Sequence, residues 1–104
     1  MDNMEQLQAV VNEVQSARQQ VANLRAQVVE LETTVDSVRN QPDHLALHQQ
    51  MGGVLVEVSD RPALLKDLEE TLVTLNEHLA RFTEREAQLM ATYEELQTIL
   101  KGSE

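Results

Sequence analysis

The chain's 104 residues carry 18 acidic against 8 basic side chains, a formal charge of -10, and are 41% hydrophobic but only 2% aromatic. A negative field of this size works against phosphate backbones and anionic lipid, which excludes nucleic acid and membrane surfaces as expected partners, and the lack of aromatics suits helix–helix seams better than one broad core. Cysteine is absent, which removes disulfide frameworks and thiolate metal sites.

The opening, MDNMEQLQAVVNEVQ, has neither a basic start nor an apolar core of signal-peptide length. No run of about 18 apolar residues follows, so a soluble, intracellular chain is expected, and its length suits one domain over 1–104. From Leu7 the apolar residues fall at Val10, Val14, Ala17, Val21, Leu24, Val28, Leu31, Val35 and Val38, in alternating steps of three and four. This is a heptad seam with Gln, Asn, Glu, Arg and Ser between its members, and it predicts a first helix over about 3–39. RNQPDH ends it, because Pro42 disfavours the helical conformation at Gln41.

The segment LALHQQMGGVLVEVS breaks the heptads. Two adjacent glycines cost roughly 1 kcal/mol each inside a helix, so a β-hairpin over about 45–58 is expected instead. Leu45, Leu47 and Met51 alternate with polar or small residues, Gly52 and Gly53 can take the positive φ angles of a tight turn, and Val54, Leu55, Val56 and Val58 form a return strand of high β-propensity. A lone apolar hairpin with two open edges is at best marginally stable in water. It therefore predicts pairing with hairpins of other subunits, which makes this stretch an assembly module.

A second helix is expected over about 61–101, capped by Ser59 or Asp60, with Pro62 in its first turn and Gly102 as its stop. Its seam is Leu65, Leu68, Leu72, Leu75, Leu79, Phe82, Glu86, Leu89, Tyr93, Leu96 and Leu100. Folded back antiparallel, the two seams match layer for layer, Leu65 against Val38 and Leu96 against Leu7, except where Glu86 meets Ala17. Arg18 lies beside that layer, so a Glu86–Arg18 pair is expected, with Glu86 turned to water as the alternative. The fold class is thus mainly α, a long antiparallel two-helix coiled coil with a β-hairpin inserted between its helices.

This order of elements resembles the β-type prefoldin subunits, most of all the eukaryotic subunit 2 group, through QQMGGVLVEVSDRPALLKDLEETLVTLNEHL, Gln49 to Leu79. The resemblance implies an ATP-independent cochaperone: α- and β-type subunits join through their hairpins into a heterohexamer, and the helical arms hold unfolded clients, actin and tubulin among them. It also implies delivery of those clients to a group II cytosolic chaperonin. Holding a non-native chain needs exposed apolar atoms, worth roughly 25 cal/mol per Å² on burial, and no reactive group. Met1, Met4, Leu7, Val10 and Val11, with Met90, Leu96, Ile99 and Leu100, are the candidate client-binding residues at the open ends of the helices. Leu7, Val10 and Leu96 also serve the seam, whereas Met4, Val11 and Ile99 lie off it, and methionine adapts to varied surfaces.

Nothing in the sequence reads as an enzyme. His44 and His48 have a spacing that joins metal ligands only on a helix, and they fall in the strand and its approach; His78 beside Glu77 reads as solvated. No nucleophile motif or phosphate-cradling loop is present, and no metal or other cofactor is expected. The rival reading is a non-chaperone coiled-coil scaffold or adaptor that self-associates through its helices, with the central segment a mere linker.

Overall fold

In a computed structural model, residues 2–102 are described. They form α1 (Asn3–Asn40), β1 (His48–Met51), β2 (Val54–Glu57) and α2 (Arg61–Gly102), in that order. The chain is mainly helical with one antiparallel hairpin between two long helices, as the heptads and the glycine pair predict.

Each helix begins on an aspartate. The Asp2 side chain accepts from the Glu5 N–H at 2.8 Å, and the Asp2 carbonyl accepts from Gln6 at 3.0 Å. At α2 the capping choice falls on Asp60: its carboxylate accepts from the Ala63 N–H at 3.0 Å and its carbonyl from Leu64 at 3.1 Å. A side-chain acceptor three residues upstream satisfies one of the donors that a helix start leaves unpaired, and Pro62 has no such donor to satisfy. Thr33, Thr34, Thr71 and Thr74 lie inside the helices and donate their hydroxyls to carbonyls four residues back, which resolves their competition with the backbone.

The buried side chains are Val14, Ala17, Val21, Val28, Val35 and Val38, all on the α1 seam. No residue of α2 is buried; its seam leucines, Phe82 and Tyr93 are half-buried. A seam that meets a single partner helix covers short β-branched side chains completely and leaves the ends of longer ones in water. Stability is therefore spread over many partial burials rather than concentrated in a thick core.

Two compact units divide the chain, one of Met1–Arg25 with Glu77–Glu104 and the other of Ala26–Asn76. In the first, Arg18 Nε lies 3.3 Å from Glu86 Oε1, the pair expected from the mismatched layer, and its Nη2 lies 3.4 Å from Met90 Sδ. Ala17, the seam residue of that layer, remains 2% exposed. In the second unit, Arg39 pairs with Glu69 while Arg61 reaches back to Gln41, so the helices run antiparallel there. His78 is half-buried, against the expectation of a solvated position, because the covered stripe of α2 is wider than its heptad seam and also takes in Leu64, Met90 and Gln97.

Candidate functional site

The hairpin is built on a two-residue turn. Met51 pairs with Val54, Gln50 with Leu55, Gln49 with Val56 and His48 with Glu57. Both glycines were candidates for positive φ, but only Gly52 adopts it, at 61°. One left-handed residue at the first central position is the type II′ pattern, whose twist matches that of the flanking strands.

Val58 donates its N–H to the Leu47 carbonyl at 2.9 Å, which extends the ladder by one pair and fixes its phase. Leu47–Val58, Gln49–Val56 and Met51–Val54 are the hydrogen-bonded pairs. The main-chain N–H and C=O groups of His48 and Gln50 therefore point out along one edge, and those of Leu55 and Glu57 along the other.

The same register sorts the side chains. One face carries Leu47, Met51, Val54, Val56 and Val58 around Gln49; the other carries His48, Gln50, Leu55 and Glu57. Every residue of both strands is exposed, Met51 at 57%, Val54 at 60% and Val56 at 45%. Leu47 and Val58 are half-buried near the hairpin base. Leu55, grouped with the other assembly residues from sequence, projects from the polar face and is 70% exposed.

The ladder is shorter than residues 45–58. Leu45 lies in a turn, its N–H donating to the Pro42 carbonyl at 3.0 Å, and its own carbonyl is taken by the Arg61 guanidinium at 3.0 Å. With these groups spent, Leu45 has no strand partner. Its side chain, 45% exposed, joins Leu47, Val58, Pro62 and Leu65 around an open hollow of about 530 Å³ at the hairpin base.

Arg61 is the residue that sequence reasoning missed. Its guanidinium also donates to the Gln41 carbonyl at 2.6 Å and the Pro42 carbonyl at 3.4 Å, and lies 3.5 Å from the Asp43 carboxylate. The available signal was a basic residue in the first turn of a helix, where the macrodipole favours an acid.

The candidate client-binding residues separate by exposure. Met4 is 63% exposed and Ile99 50%. Leu7, Val10, Val11, Met90, Leu96 and Leu100 are half-buried. Val11 and Met90, off the seam in sequence, line with Val14, Gln15, Arg18 and Tyr93 a cavity of about 190 Å³. Met1 lies outside the described residues.

A model of the prefoldin subunit family matches residues 1–103. Among solved structures, the chain resembles the crystal structure of the prefoldin beta subunit from Thermococcus strain KS-1: 20% identity, a TM-score of 0.87, and coverage of 97% of this chain and 88% of that one. At that identity the likeness establishes the shared fold. No curated protein matches.

Proposed function

This chain belongs to the prefoldin subunit family, and from that premise we propose that it is a β-type subunit of a heterohexameric holdase that acts without ATP. Family membership makes it a component of an oligomer of prefoldin subunits. The observation that carries the proposal is the hairpin: five apolar side chains on one face, with Met51, Val54 and Val56 exposed, and open hydrogen-bonding edges on both sides. Such a surface gains most by adding strands from α- and β-type partners and burying its apolar face among theirs.

The work on clients falls to exposed apolar side chains in the other unit, Met4 and Ile99 first, with Val11, Met90 and the half-buried seam ends Leu7, Val10, Leu96 and Leu100 as secondary contacts. Binding of this kind needs no reactive group. Affinity grows with the apolar area covered, and the partial burial of the seam ends lets them open toward a client at small cost. Unfolded actin and tubulin are the proposed clients, a group II chaperonin is the proposed recipient, and the cytoplasm is the proposed site of action. Among the described residues no helix is long and apolar enough to cross a membrane.

The test is to reconstitute the chain with an α-type prefoldin subunit and follow the aggregation of chemically unfolded actin, without nucleotide, by light scattering. Suppression by the complex at near-stoichiometric ratio is expected. Aggregation unchanged by the assembled complex would contradict the holdase role and return the scaffold reading.

A further inference from the structure

We propose that Arg61 is an assembly-positioning residue, a clasp that holds the hairpin at a fixed attitude to the helices that carry it. The inference rests on the hairpin being the assembly module. Arg61 stands at the first position of α2, and no acidic side chain accompanies it in that turn. A cation there opposes the helix dipole of α2, so its placement is unfavourable locally and calls for a compensation elsewhere.

That compensation is at the other side of the hairpin. Nη1 reaches the Gln41 carbonyl at 2.6 Å and the Asp43 carboxylate at 3.5 Å, while Nη2 reaches the carbonyls of Leu45 at 3.0 Å and Pro42 at 3.4 Å. The nearest of these acceptors, the Gln41 carbonyl, lies directly past the end of α1, where the dipole favours a cation. The Arg61 side chain is only 21% exposed, whereas that of Asp43 is fully exposed, so the carbonyls and not the carboxylate define the arrangement.

The consequence is geometric. The chain entering β1 through Ala46 and Leu47 and the chain leaving β2 through Val58, Ser59 and Asp60 are tied to one side chain. Without it, the hairpin hangs on two short connections. Lysine does not replace arginine here, because a single ammonium nitrogen cannot reach the separate carbonyls that the two guanidinium nitrogens hold.

The test uses spin labels at Gln50→Cys on the hairpin and Asn76→Cys on α2; the chain has no cysteine of its own, so labelling is unique. With Arg61 intact the distance distribution is expected to be narrow, and with Arg61→Gln or Arg61→Lys broad, at unchanged helical content by circular dichroism. Association of the unlabelled variants with an α-type prefoldin subunit is expected to weaken by about tenfold. Equal distributions in all three chains would overturn the clasp. An unsubstituted chain that fails to assemble overturns the assembly reading and Arg61's part in it; variants that assemble as well as the parent overturn the part of Arg61 alone.

Discussion

Asp60 and Gly52 each hold a position that few other residues fill, for different reasons. Asp60 supplies the acceptor that α2 lacks at its start, and Asp60→Ala is expected to lower stability by about 1 kcal/mol in a urea titration followed by circular dichroism. Gly52 has a φ of 61° and open space around it, so an added methyl group meets no atom but forces the left-handed conformation on a residue that resists it. Gly52→Ala should cost the hairpin about 1 kcal/mol, and Gly53→Ala, with no positive φ and equal space, nearly nothing. Loss of hydrogen-exchange protection at the Val58 amide in the first variant and not the second is the readout. Some of this detail was legible in the sequence: Ser59-Asp60 before Arg-Pro narrows the cap to two residues, and a seam glutamate facing the Ala17 layer with Arg18 beside it makes an Arg18–Glu86 pair one of two expected outcomes. What Arg61 holds was not legible, because its hydrogen-bond acceptors are the main-chain carbonyls of Gln41, Pro42 and Leu45, and backbone groups leave no trace in a list of side chains.

At the scale of the element, heptad spacing located both helices because a seam facing one partner demands an apolar residue every three or four positions and tolerates polar residues everywhere else. What spacing could not give was the asymmetry of the pair, with α1 burying six short side chains and α2 burying none. That depends on which side chains are long enough to cover their opposites. Adjacent valines show how sharply the seam is drawn, Val28 being 6% exposed and Val29 63%. Val28→Asp is expected to destabilise by more than about 2 kcal/mol, since a carboxylate would replace a buried methyl pair, while Val29→Asp should stay within about 0.5 kcal/mol of the parent chain. Thermal unfolding of the two variants side by side checks this. In the hairpin, alternation identified the strands, but the face assignment awaited the register: a two-residue turn at Gly52-Gly53 sets Leu47, Met51, Val54, Val56 and Val58 together and sends Leu55 to the opposite side.

For the whole molecule, two surfaces divide the proposed work. Exposed Met4 and Ile99 belong to the unit of the chain-terminal helix segments, and the hairpin belongs to the unit of the central ones. Substitutions in one are therefore expected to leave the other's property intact. Met4→Ser with Ile99→Ser should weaken suppression of actin aggregation at least about threefold, with helicity and assembly unchanged, since each removes exposed apolar area at a position off the heptad seam. The central claim, that the apolar hairpin face is what joins this subunit to others, is tested most directly by multi-angle light scattering of the chain mixed with an α-type prefoldin subunit. Three forms are compared: the parent chain, Val54→Asp with Val56→Asp, and Leu55→Asp. A defined hetero-oligomer is predicted for the parent and for the Leu55 variant, with only separate subunits for the double variant. Assembly that survives both aspartates on the apolar face, or that fails equally in all three forms, would contradict the account.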